Sequence, residues 1–314
     1  MAQKRKPCPA AKVCLAVVSS ACGVLGAAEA EPFRKVSDIV YAEAGGHKLL
    51  LDLYLPGNTL RPPLVVYVHG GGWRSGSKSS MPLTALVRGG FAIASVDYRL
   101  SPVARFPAQV HDIKAAIRFL RAKQADYGYA AARMAISGSS AGAHLAQLVG
   151  VTNGNPELEG EIGGHRAESS GVQAIVAYFG ASNFLTILKQ STPHGLGVRV
   201  PALQLLLGGQ PEDKPELAKL ASPAFHVDRS DPPLLMLHGD QDPQMPINQS
   251  HELEGKYREL GLPVELEVVH GAGHGGPQFY ESARTSRVIE FLNRSLRRRR
   301  SGADATGSFG APGR

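Results

Sequence analysis

The feature that most constrains the fold is a rhythm: from Val36 onward, short apolar runs bounded by turn residues alternate with segments of helical period. Leu64 to Val68 is an unbroken apolar stretch of strand length, the pattern of a strand buried on both faces. Similar runs occupy 91–96, 134–136, 172–178, 234–237 and 264–269. Ahead of them, Val36 to Tyr41 and Leu49 to Tyr54 flank Gly45-Gly46, which predicts an opening hairpin. Between the runs, Val110, Ile113, Ile117 and Leu120 share one helical stripe, and helices are expected at Leu145 to Val149, His251 to Leu260 and Ser282 to Leu296. Strands that alternate with helices this long need crossover connections. The expected class is therefore α/β, with a mostly parallel central sheet of about eight strands and helices on both faces. Residues 152–230 break the rhythm with one strand, Gly/Pro/Ser-rich loops and a short helix around Pro201 to Leu207. They read as a small insertion near the strand ends, where such sheets bind ligands.

Both ends of the 314-residue chain differ from this body. Lys4, Arg5 and Lys6 precede an apolar stretch from Val13 to Ala28, and Ala28-Glu29-Ala30 fits a small-residue cleavage site. Residues 1–30 are thus expected to be a signal peptide cut after Ala30, which implies a secreted or periplasmic protein. The apolar stretch falls short of the roughly 20 residues a membrane span needs. Lipoprotein processing at Cys22 is the alternative, weakened because Ser19-Ser20-Ala21 lacks the aliphatic residue usual before such a cysteine. All three cysteines (Cys8, Cys14, Cys22) lie in this leader, so a mature chain would carry no disulfide, catalytic thiol or zinc–thiolate site. Residues 297–314 read as a basic, disordered tail. The leader and the tail account for the net charge of +7, leaving residues 31–296, the expected catalytic domain, near neutral. A globally basic nucleic-acid binder is not supported.

The chemistry is carried by four Gly-rich loops. Gly138-Ser139-Ser140-Ala141-Gly142 follows the apolar run 134–136 and precedes the helical Ala143-His144-Leu145-Ala146. That strand–turn–helix setting is a nucleophile elbow presenting Ser140, and the small neighbours are what so tight a turn requires. His69-Gly70-Gly71-Gly72-Trp73 follows the first buried run. Its Gly71 and Gly72 N–H groups, with that of Ala141, are the expected oxyanion donors. The loops at 238–242 and 271–275 follow the last two runs and supply an acid, Asp240 or Asp242, and a base, His274. The order Ser, acid, His and the placement of each at a strand end let all three converge on one sheet edge. His144 reads as packed, and His111 with Asp112 as the polar start of a helix. His270 and His274 have metal-like spacing, but Gly-Ala-Gly lies between them and argues against a helix presenting both. No metal ligand set and no cofactor site is expected.

These motifs resemble the hormone-sensitive-lipase-like and bacterial acetyl/feruloyl-esterase-like branch of the α/β-hydrolases. The resemblance runs from about Val36 to Leu292 through HGGGW (69–73), DYRLSPVARFPAQVHD (97–112), GSSAGAHLA (138–146), ASP (221–223), HGDQDPQMP (238–246) and GAGHGG (271–276). It implies an α/β-hydrolase fold and places the acid on Asp242. Ser139 stands where many relatives have Asp, and Ala131-Ala132 where many have Asp-Pro. The first departure favours the acetyl/feruloyl subgroup, and the early first strand implies that the helical N-terminal cap of the classical relatives is absent or very small.

The expected reaction is acyl transfer to Ser140 with no metal or cofactor, rising with pH through about 6.5 as the base loses its proton. A missing cap and a short insertion suggest an open cleft for short-acyl esters, lined by Trp73. Small-molecule or polysaccharide esters bearing acetyl or feruloyl groups are the expected substrates. Two other readings stand beside this one: an amide-cleaving relative with the same triad, and a non-catalytic binding protein on the same fold.

Overall fold

A computed structural model describes residues 33–296. The expected leader with its Cys22 and the Arg297–Arg300 run lie outside the described residues. The chain opens with the hairpin of β1 (Phe33–Ala44) and β2 (His47–Pro56), turning at Gly45-Gly46 with both φ positive. Then come β3 (Pro63–Val68), α1 (Thr84–Arg88), β4 (Ala92–Val96), α2 (Ala108–Ala122) and the single turn α3 (Gln124–Tyr127). The middle holds β5 (Ala130–Ser139), α4 (Ala141–Gly150), α5 (Pro156–Glu159) and β6 (Ala174–Tyr178). Next are α6 (Phe184–Gln190), α7 (Pro193–Leu207), α8 (Pro215–Leu220) and β7 (Leu234–Gly239). The described chain ends with α9 (Asn248–Glu259), β8 (Val264–Val269) and α10 (Ser282–Ser295).

The strands form one eight-stranded sheet in the order β1-β2-β4-β3-β5-β6-β7-β8. Pairing is antiparallel from β1 to β2 and from β2 to β4, and parallel from there on. Alternation along β3 divides the interior: Leu64, Val66 and Val68 join the core under α2, α4 and α9, whereas Val65 and Tyr67 join the core under α1 and α10. A strand with both faces covered has no polar side to show, which explains its unbroken apolar run. Parallel pairing also puts the C-terminal ends of β3, β5, β6, β7 and β8 on a single edge.

The insertion is more ordered than its composition suggests. Residues 152–230 contain α5, α6, α7 and α8 around β6, and α7 spans fifteen residues rather than a short segment at 201–207. Gly195, Gly197 and Pro201 depress its intrinsic propensity. The Thr192 side chain caps its start by accepting from Gly195 N at 3.0 Å, and burial of Leu203, Leu206 and Leu207 holds the rest.

Candidate active site

Ser140 sits directly after β5 with φ 54° and ψ −120°, a conformation that costs a residue bearing a side chain of order 1–3 kcal/mol. Its N–H donates to Tyr178 O (2.9 Å), and its C=O accepts the first turn of α4 from His144 N (3.0 Å). Gly142 lies against the end of β3. A Cβ there would stand 2.1 Å from Val68 O and 2.4 Å from His69 O, so the elbow reaches the 69–73 loop only with glycine. The loop therefore flanks the nucleophile, and a Cβ on Gly70 would meet Ser140 Cβ at 3.4 Å. Among the described residues, no protein acceptor takes up the N–H of Gly71, Gly72 or Ala141.

His274 Nε2 lies 2.8 Å from Ser140 Oγ, and its Nδ1 lies 2.7 Å from Asp242 Oδ2. The Asp242 side chain is fully buried. Its Oδ1 accepts from Gln244 N and Met245 N, both at 2.8 Å. Burial alone would raise its pKa. The His238 and His274 imidazoles and the Met245 N–H outweigh that and hold the carboxyl well below the usual range, so it is ionised at neutral pH. Asp240 takes other partners: Oδ2 meets His270 Nδ1 at 2.8 Å and Oδ1 accepts from Gly271 N at 2.7 Å. His270 and His274 thus face different carboxylates. Among the described residues no group of three His, Cys, Asp or Glu side chains could hold a metal ion.

Residues 51–257 match the BD-FAE family model. The chain belongs to the BD-FAE family of α/β-hydrolases. This BD-FAE chain is 33% identical over 251 residues to esterase LipQ of Mycobacterium tuberculosis, an alignment that covers 76% of it and 57% of LipQ. It therefore spans little more than half the length of that relative. Among solved structures it is similar to a truncated carbohydrate esterase from gut microbiota, with TM-score 0.75, 29% identity, and coverage of 85% of this chain and 98% of that one. It is also similar to the propionate-bound structure of a thermophilic esterase from Thermogutta terrifontis, with TM-score 0.66, 26% identity, and coverage of 82% and 93%. Among the described residues no helix is long and apolar enough to cross a membrane.

Two expectations about single residues need correction in the BD-FAE chain. Trp73 does not line a cleft. It is 0% exposed, its indole packs edge-on to His144 and Phe184, and its Nε1–H donates to His144 Nδ1 at 3.1 Å. Nor do His111 and Asp112 form the polar start of a helix, because α2 begins at Ala108. Asp112 lies inside α2, fully buried, with its carboxylate gripped by the Arg99 guanidinium at 2.6 Å and by Arg99 N at 2.8 Å. This pair ties the 97–107 loop to α2. The same loop buttresses the HGGGW segment, because Tyr98 Oη donates to His69 O (3.1 Å) and Ser101 N to Trp73 O (2.8 Å).

Two other residues around the site carried no sequence signal that singled them out. Phe179 follows β6 with φ 45° and sets its ring 4.9 Å from the His274 imidazole, backed by Phe279 at 4.8 Å. Arg199 of α7 is buried and donates to Gln244 O in the acid loop. Burial lowers its pKa to about 10, opposed by the charge of Asp242, so it remains cationic at neutral pH.

Proposed function

We propose that the protein is a serine carboxylesterase that cleaves short-acyl esters through an acyl-enzyme. Ser140 is the nucleophile, His274 the general base and Asp242 the group that orients it. The reading is carried by the continuous hydrogen-bonded path from Asp242 Oδ2 through His274 to Ser140 Oγ, at 2.7 and 2.8 Å. An ionised carboxylate only accepts, so Nδ1 bears the imidazole proton and Nε2 turns its lone pair to the serine hydroxyl. As Ser140 Oγ attacks the ester carbonyl carbon, its proton passes to Nε2. The carbonyl oxygen becomes an oxyanion held by the N–H groups of Gly71, Gly72 and Ala141. Collapse of this intermediate breaks the bond to the alkoxy oxygen, which leaves as the alcohol with the proton from Nε2. Water then repeats the sequence on the acyl-enzyme, releasing the acid and restoring Ser140.

For substrate class, the carbohydrate esterase and the propionate-bound esterase among its structural neighbours support small acyl groups on saccharides, and acetyl or feruloyl groups on polysaccharides are the candidates to test. Export through the 1–30 leader, with the mature chain starting at Glu31, fits that role. The test is an acyl-length series of p-nitrophenyl esters from acetyl to octanoyl, run beside acetylated xylan and methyl ferulate. Turnover should be highest at the short end and fall by several orders of magnitude in Ser140→Ala. A wild-type protein inert to every one of these esters overturns the reading.

A further inference from the structure

The stretch from Gly71 to Trp73 places three consecutive residues at positive φ, 107°, 60° and 61°. Two are glycines, for which this is inexpensive. Trp73 is not, and a left-handed backbone at a bulky residue persists only where its surroundings impose it. Those surroundings are an anchored indole. It is fully buried, lies edge-on to His144 and Phe184 at 5.4 and 5.6 Å, and donates its Nε1–H to His144 Nδ1. His144 in turn belongs to α4, one turn beyond the Ser140–Ala141 elbow, and its Nε2 lies 2.6 Å from Ala221 O. A carbonyl oxygen only accepts, so Nε2 carries the proton and Nδ1 is left as a lone pair suited to the indole N–H. Burial lowers the His144 pKa to about 4, which keeps that lone pair free across the neutral range.

We propose that Trp73 and His144 form a positioning pair: the indole–imidazole bond clamps the HGGGW loop to the nucleophile helix and so sets the orientation of the Gly71 and Gly72 N–H groups relative to that of Ala141. The two halves of the oxyanion hole come from different loops, and this bond links them from behind without touching substrate. The inference rests on the esterase reading above, because it is acyl transfer to Ser140 that gives the Gly71, Gly72 and Ala141 N–H groups an oxyanion to hold.

The test compares the full-length wild type with Trp73→Phe, which removes the indole N–H and keeps an aromatic ring, and with His144→Leu and His144→Asn. In Trp73→Phe, kcat on a p-nitrophenyl ester should fall about 10- to 100-fold with KM within about twofold, part of the loss seen when a whole oxyanion donor is removed. Affinity for a trifluoromethyl ketone, whose serine adduct carries the oxyanion, should fall by a similar factor. His144→Asn, which keeps an acceptor near the Nδ1 position, should lose less than His144→Leu. Trp73→Phe combined with His144→Leu should be no worse than the poorer single variant. A wild type active on esters whose folded Trp73→Phe variant keeps both kcat and ketone affinity overturns the pair and leaves the esterase reading standing. A kcat loss without loss of ketone affinity overturns it equally. If Trp73→Phe does not fold, the His144→Asn and His144→Leu pair decides, and equal losses in those two reject the clamp. A wild type inert to all esters overturns both readings.

Discussion

At Gly239 the chain leaves β7 so close to the base-bearing loop that a Cβ there would lie 2.2 Å from Ala272 O. Two carboxylates follow within three residues, and the turn sends them to different histidines. Asp242→Asn should lower kcat by roughly 10³- to 10⁴-fold, because the amide stabilises the wrong imidazole tautomer. Asp240→Asn, which acts on His270 and the Gly271 N–H, should cost no more than about tenfold. Steady-state kinetics of the two variants check the pair, and equal losses would reject the assignment. Asp231 behaves differently again. Burial pushes its carboxyl up to about 7, against the bond from Asp228 N–H, so the folded state favours the protonated form. Its contribution to stability is full below an unfolded pKa of about 3.9 and is lost as pH rises through about 7. Asp231→Asn should therefore raise Tm at pH 8, by about 2–4 °C for each kcal/mol relieved, and leave it unchanged near pH 4. Thermal melts at the two pH values read this directly.

Between elements, single carboxylates do much of the fastening. Glu159 ends α5 and binds Lys114 Nζ at 2.7 Å, Arg118 Nη1 at 3.1 Å and Ser170 Oγ at 2.8 Å, drawing the start of the insertion onto α2. The Lys114 side chain is fully buried, and its Nζ also donates to Thr152 O. Removing its counter-ion leaves a charge in the interior. Glu159→Ala should destabilise by about 3–5 kcal/mol in a denaturant titration, with the activity of the folded fraction largely kept. At the other end of the insertion, α7 bridges two loops of the site. Thr192 Oγ1 donates to Pro243 O at 2.6 Å near its start, and Leu206 O accepts from Phe106 N at 2.9 Å near its end. A region whose composition suggested loops thus holds together the acid loop and the loop that backs HGGGW. Its helices were hard to read because glycine and proline interrupt the pattern and packing supplies what propensity lacks.

For the molecule as a whole, the acid limit of stability follows from carboxylates held below their ordinary range. For Asp52, Glu159 and Asp242, burial opposes ionisation. Lys35 and Lys78, then Lys114, then His238 and His274, respectively, more than offset it. A depressed folded pKa gives stability that is present above an unfolded value near 4 and lost as pH falls through the folded one. Unfolding free energy should accordingly drop steeply below about pH 4, measured by urea titration at stepped pH. A flat profile from pH 5 to 3 would contradict the assigned pairings.

What the sequence alone determined is what depends on neighbours along the chain. The unbroken apolar runs specify strands covered on both faces, whereas the run at 264–269, interrupted by Glu265 and Glu267, forms the partly exposed edge strand β8. The opening hairpin turns at Gly45-Gly46, and small residues around Ser140 permit an elbow between a strand and a helix. These are matters of side-chain period and local sterics, so about ten residues suffice to read them. Tertiary structure decided what depends on distant partners. It chose which carboxylate meets His274, a residue 134 positions from Ser140, and it set the ring of Phe179 against that imidazole. It turned Trp73 inward to His144 rather than outward to a cleft, and it buried Asp112 against Arg99. A loop's composition permits many orientations of its side chains, and only the surfaces packed against it select one.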